Sequence, residues 1–259
     1  MLQPLDILYQ DEHMVAIDKP PGLLVHRSMI DKHETQFAMQ MLRDQIDQHV
    51  FPVHRLDRPT SGVLLFALSS TVARNLTEQL TLKDVSKTYY AIVRGYAPEN
   101  GHIDYALKEK LDKIADKKAN KNKPAQDAMT DYRTLATFEL PFAVGRYQTA
   151  RYSLVEMKPI TGRKHQLRRH MAHIRHPIVG DTTHGDGKQN AFIKQQYNFH
   201  GLALTCASMT LRHPITQKTL TIRSQFDQRM ANLLNEWGVP HQQLQAITQA
   251  NALNVEENE

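Results

Sequence analysis

Asp57 is the acid whose neighbours suit it to chemistry. It lies between Arg55 and Arg58 in His54-Arg55-Leu56-Asp57-Arg58-Pro59-Thr60-Ser61-Gly62, directly before the apolar run 63–68. A positive charge within a few ångströms favours the ionised form of a carboxylate, so two flanking arginines suit an acid that attacks rather than one that donates a proton. Pro59 and Gly62 are turn formers, which predicts a loop anchored to a buried strand. Taken alone, the same Arg-Asp-Arg order also describes a solvated surface turn.

Two further segments carry side chains with chemical uses. In Thr161-Gly162-Arg163-Lys164-His165-Gln166-Leu167-Arg168-Arg169-His170, a helix starting near Thr161 would carry Arg168, whose planar and permanently charged guanidinium can orient a carboxylate or build an ion pair. In Lys87-Thr88-Tyr89-Tyr90-Ala91-Ile92-Val93, adjacent tyrosines on a strand must face opposite ways. Tyr89 suits stacking on a planar ring with its hydroxyl hydrated, or packing in the core. His165, His170, His173 and His176 are poorly spaced for a metal and stand beside Arg168, Arg169 and Arg175, so phosphate contact or helix capping fits them better. Gly180-Asp181 and His184-Gly185-Asp186-Gly187 resemble a divalent-ion loop but lack the spacing and closing glutamate of an EF-hand. No cofactor and no metal is expected.

The elements that must position these groups follow from periodicity. Alternating or continuous apolar runs predict strands over 6–9, 13–17, 62–68, 88–95, 102–107, 130–139, 149–158, 202–211 and 219–223. Helical spacing fits 34–48, 70–82, 163–174 and 226–237. Strands that follow one another without intervening helices imply antiparallel pairing, hence an α+β fold with a large mixed sheet, flanking helices and a central cleft. We expect one catalytic domain over 1–239, interrupted by a basic insertion over 108–127 with lysines at 108, 110, 113, 117, 118, 121 and 123. That lysine run is either a solvated face or a phosphate-tracking loop. The Gln- and Asn-rich tail 240–259 is expected to be mobile and dispensable.

The segment from His54 to Gly62 resembles the motif His-Arg-Leu-Asp-x-x-Thr-Ser-Gly of the RluA family of pseudouridine synthases. Three other segments resemble that family in the same order: Asp18-Lys19-Pro20-Pro21-Gly22-Leu23-Leu24-Val25-His26, the stretch around Tyr89, and the stretch from Thr161 to His170. Together they span about 5–222. The resemblance implies an RNA uridine isomerase with Asp57 as nucleophile, Arg168 paired with it, and Tyr89 against the target base. Arg55 would fill the gap left by a flipped nucleotide, and His54, Arg58, Arg163 and Leu204 would contribute to substrate binding. One departure is visible: the family's Leu-x-Leu-His-Ala becomes Leu202-Ala203-Leu204-Thr205-Cys206-Ala207, which leaves the histidine's role without a bearer while Leu204 keeps the apolar wall.

Within the family the finer likeness, carried by Arg58-Pro59, Leu111-Asp112-Lys113-Ile114-Ala115-Asp116-Lys117 and Arg163-Lys164-His165, is to members acting on the uridine conventionally numbered 65 in tRNA. Ribosomal RNA is the alternative substrate. The catalytic pattern starts near the amino terminus and leaves no room there for a separate RNA-binding module, which suits a compact, pre-folded RNA. A non-catalytic RNA-binding protein would have no use for an acid that repels phosphate, and a nuclease or glycosidase would need metal ligands or a second facing carboxylate.

Composition agrees without deciding. The 259 residues, 41% of them hydrophobic, suffice for a sizeable core, and a net charge of +5 favours a polyanionic partner. A single cysteine excludes an intrachain disulfide and suits a reducing compartment. With no long apolar segment, the chain reads as cytoplasmic, away from membranes, and monomeric, with no obligate protein partner.

Overall fold

The apolar run after Asp57 forms β4 (Ser61–Ala67), every residue of which is buried. A strand covered on both faces must be central, and β4 has β2 (Met14–Lys19) on one side, itself hydrogen-bonded to β1 (Asp6–Gln10). The computed structural model describes residues 3–27, 34–109 and 124–250. Beyond β4 the sheet continues through β9 (Leu204–Arg212), β5 (Ser86–Arg94), β8 (Ala150–Pro159), β7 (Met129–Leu140) and β6 (Asn100–Asp104). The short β3 (Phe51–Pro52) pairs with β4 and β10 (Thr219–Arg223) with β9, giving a ten-stranded sheet. All pairs are antiparallel except β4 with β9. The architecture is thus the α+β fold with a large mixed sheet that the strand pattern predicts.

The parallel junction is narrow. Only Ser61 with Thr205 and Gly62 with Cys206 are in register. Gly62 has φ +102°, and a Cβ there would lie 2.1 Å from the Cys206 carbonyl oxygen. Glycine is therefore required both for the backbone turn and for the close approach of the two strands. The loop that carries Asp57 enters the sheet at this junction.

Helices cover the sheet: α1 (Ala38–Ile46), α2 (Ser70–Leu82), α3 (Gln166–His173), α4 (Gly187–Tyr197), α5 (Gln228–Glu236) and α6 (His241–Ala250). α2 follows its sequence signal to the residue, with Ser69 Oγ capping the Val72 amide and Lys83 closing it in the left-handed region. α1 and α3 begin later than their periodicity suggests. Phe37 is extended because it bridges Leu24, and His165 adopts φ +54° just before α3.

Two helices and one strand have no counterpart in the sequence reading. β3 is only two residues long. α4 buries little beyond Gln189 and Ile193, so it has no strong apolar stripe, and the residue that starts it is Asp186, whose carboxylate caps the Lys188 and Gln189 amides. α6 lies within the stretch 240–259 expected to be a mobile tail. Leu244 is buried, and the Ile247 carbonyl accepts the Tyr90 hydroxyl at 2.9 Å. On that side of the sheet Tyr90 stacks on Phe226 and Tyr152 on Trp237. Residues 110–123, which hold most of the basic insertion, and 251–259 lie outside the described residues. The backbone pairing of Leu107 with Gln126 closes the base of the insertion.

Candidate active site

Asp57 sits in the turn between β3 and β4, where the Thr60 amide donates to its carbonyl at 3.0 Å. The turn is held from beneath by Lys19 at the end of β2. This lysine is fully buried, and its Nζ donates to the carbonyls of Pro20 (2.8 Å), Leu23 (2.9 Å) and Arg58 (3.2 Å). Burial, partly offset by the charges of Asp57 and Asp18, brings its pKa down to about 7. Lys19 thereby ties the Gly22 turn to the Asp57 turn.

The cation on Asp57 is Arg168. Its Nη1 donates to Asp57 Oδ2 at 3.0 Å, while Nε and Nη2 donate to the two oxygens of Asp181 at 2.7 and 2.8 Å. The Arg168 side chain is 6% exposed, Asp181 0% and Asp57 28%, so the array runs from a sealed anchor to a carboxylate at the cavity wall. Asp181 also accepts the Thr183 and His184 amides. Burial alone would raise the Asp181 pKa, but Arg168 and these amides outweigh it and hold the carboxyl below its usual range. Burial likewise opposes the Arg168 charge, and its bonds to Asp181 and Asp57 overcome that and raise its pKa. A guanidinium held by two points on one side presents its remaining N–H in a set direction on the other.

These groups open onto a cavity of about 790 Å³ whose lining includes Asp57, Arg55, His54, Tyr89, Arg163, His165, Arg168 and Leu204. Its floor comes from neighbouring strands: Tyr89 on β5 pairs with Cys206 on β9, next to a register shift between Thr88 and Tyr89. Bulges of this kind re-aim side chains beside functional sites. Tyr89 is buried, with the Cys206 thiol next to its hydroxyl, which corrects the expectation that the hydroxyl stays hydrated. Burial, then Cys206, pushes the phenol well above its ordinary pKa. Tyr90 faces the opposite side, as strand alternation demands. The same alternation resolves the departure at Thr205: it pairs with Tyr90 and lies outside the cavity lining, whereas Leu204 is in it.

Other expected site residues are placed differently. Arg58 is outside the cavity lining, because successive residues of the turn diverge; its Nε donates to the Gly22 carbonyl at 3.0 Å and its guanidinium pairs with Glu34. His54 lines the cavity, but its Nε2 accepts the Leu65 amide at 3.1 Å, and burial together with the Lys87 charge brings its pKa down to about 3. It is a neutral ring used by the backbone. Arg163 is exposed and donates Nε to the Asp127 carbonyl at 3.0 Å, while Arg55 stands exposed at the rim. The histidines read as capping or phosphate groups have other partners. His170 bonds Thr130 and the Tyr105 carbonyl, His173 stacks on Tyr105, and His176 bonds the Arg94 carbonyl.

Sequence reasoning gave Lys19 and Gln166 no task and read Asp181 only as a carboxylate of a loop resembling a divalent-ion site. The buried Gln166 amide joins the loop before α3 to β7 through Met129 and Thr130, and its oxygen accepts from Thr161 and the Arg163 amide. In the sequence Asp181 stands out as an acid of that glycine-bearing loop, a signal that does not name Arg168 as its partner.

Comparison with known proteins agrees with this arrangement. The family model described as RNA pseudouridylate synthase matches residues 13–173. A tRNA pseudouridine synthase C of Vibrio cholerae is 58% identical over 90% of this chain and 96% of its own length, and one of Yersinia pestis is 56% identical over 90% and 91%. Among solved structures, the human RNA pseudouridylate synthase domain containing 4 superposes with a TM-score of 0.67 at 25% identity, covering 90% of this chain and 92% of that one. With its sheet, its cavity and this similarity along nine-tenths of its length, the chain belongs to the RNA pseudouridylate synthase family.

Proposed function

We propose that the cavity receives a uridine flipped out of a tRNA helix and that Asp57 is the nucleophile of its isomerisation to pseudouridine. The reaction breaks the bond between N1 and the sugar, turns the base and rejoins it through C5, without redox change or hydrolysis. It needs an ionised nucleophile, a water-poor pocket and a cost of a few kcal/mol for extruding the nucleotide. The observation that carries this reading is the Asp57–Arg168–Asp181 array, which aims a carboxylate into a cavity floored by Tyr89 and Leu204. Arg168 orients the nucleophile, Tyr89 offers its ring to the base, and Arg55 at the rim is free to reach into the vacated stack. tRNA as substrate rests on the names of the relatives, and the uridine numbered 65 is our expectation within it. Among the described residues no helix is long and apolar enough to cross a membrane, and we take the enzyme to act in the cytoplasm as a monomer.

Asp57→Asn tests the reaction, since it removes nucleophilicity at almost constant volume. Tritium release from RNA labelled at uracil C5 should fall below a few per cent of the unmutated rate while RNA affinity holds; substantial turnover would remove Asp57 from this role. Deleting the gene and mapping pseudouridines by carbodiimide-based primer extension tests the substrate. Loss of a tRNA site is expected, and loss of a ribosomal site alone would overturn the tRNA assignment.

A further inference from the structure

His165 stands in the cavity wall without a task in the chemistry described so far. Its backbone has φ +54° and ψ 28°, a left-handed conformation that a side chain adopts only at a cost and that glycine would accept freely. Although it occupies the cap position of α3, its side chain makes no capping bond. Instead Nε2 lies 3.8 Å from Asp57 Oδ2, and Nδ1 lies 3.2 Å from His184 Nε2, with the two rings edge to face. His184 is half-buried, and its amide is held by Asp181, the carboxylate that also anchors Arg168. The two imidazoles thus form a line from the acid outward.

Isomerisation leaves one proton to be moved. When C5 joins the sugar it still carries its hydrogen, which must leave as a proton so that the C5–H electron pair becomes the C5=C6 double bond, while N1 takes up a proton from water. Asp57 is engaged as the nucleophile, and Arg168 has no lone pair to offer. We propose that His165 accepts the C5 proton on Nε2 and passes the proton on Nδ1 to His184 and so to solvent. The inference rests on Asp57 acting as the nucleophile in this cavity. The groups facing the ring are Asp57, Asp181, Arg168, Lys164 and His184; burial, aided by the two cations against the pull of the two carboxylates, holds the imidazole below its usual pKa. A neutral ring has one nitrogen to accept a proton and one to give it.

His165→Asn is the first test, because asparagine tolerates the left-handed backbone. In single turnover on tRNA with hydrogen or deuterium at uracil C5, the variant should be slower by about a hundredfold. It should show a larger C5 isotope effect than the unmutated enzyme and regain part of its rate in imidazole buffer. His184→Gln should move rate and isotope effect the same way, less far. An unchanged rate, or a loss with neither isotope effect nor imidazole rescue, overturns the proposal. The unmutated enzyme supplies an independent reading that needs no variant to fold: its C5 isotope effect must grow as pH falls through the imidazole titration, and a flat profile overturns the role. Asp57→Asn run in parallel separates the two ideas. Activity there removes the nucleophile assignment, whereas an inactive Asp57→Asn beside an unimpaired His165→Asn removes only the proton acceptor.

Discussion

Arg168 has two duties at the level of single residues, and they respond differently to mutation. Toward Asp57 it orients a partly exposed carboxylate; toward Asp181 it neutralises a fully buried one. Arg168→Met strands Asp181 without its cation, and breaking a buried pair from one side costs about 3–5 kcal/mol. Asp57→Asn leaves the Arg168–Asp181 pair intact and should keep nearly full stability. Urea denaturation of the two variants will separate them, and equal stabilities would argue that the buried pair contributes little. pH offers a second check. Because the folded Asp181 pKa is depressed, its contribution is fully present above the unfolded carboxyl value of about 4 and is lost as pH falls through the lower folded value. The urea-unfolding midpoint of Asp181→Asn, followed by circular dichroism at several pH values, should depend less steeply on pH below about 4 than that of the unmutated protein.

Among the elements, α6 was the least expected. Its sequence is polar and Gln-rich, with Leu244 and Ile247 providing its apolar contacts with the core, and it closes over the hydroxyl of a tyrosine adjacent to Tyr89. Truncation after Pro240 removes the burial of Leu244 and leaves the Tyr90 hydroxyl without its carbonyl. After allowance for the ordering of the helix, a loss of about 2 kcal/mol is expected in thermal or urea unfolding. An unchanged midpoint would return the segment to the status of a dispensable tail. The Asp57 turn depends on the junction of β4 with β9, where Gly62 lets the two strands approach and Lys19 joins two turns through three carbonyls.

At the scale of the whole molecule, a net charge of +5 is modest for a protein that grips RNA, so placement matters more than total. The basic insertion leaves the sheet after β6 and returns at Asp127, whose carbonyl is held by Arg163 in the cavity wall. The insertion therefore ends at the mouth of the cavity. Replacing Lys117, Lys118, Lys121 and Lys123 with alanine should weaken RNA binding for all sequences and lower the salt slope by up to about one unit per lost phosphate contact. Filter binding across a salt series measures this, and an unchanged slope would make the segment a solvated loop.

What the sequence by itself determined is what local pattern and side-chain chemistry can carry. The central strands announced themselves by apolar runs, α2 by its helical spacing, and Asp57, Tyr89 and Leu204 by resemblance to a family motif. Those signals are one-dimensional, and local pattern fails where a partner lies far along the chain. Local pattern put Arg55 and Arg58 beside Asp57; the family resemblance named Arg168, 111 residues away, and the structure brings its Nη1 to 3.0 Å from Asp57 Oδ2. Asp181 and Asp186 looked alike as loop carboxylates, yet one neutralises a buried guanidinium and the other caps a helix. Only the tertiary structure could tell them apart, because a carboxylate's role is set by which donors surround it after the chain has closed.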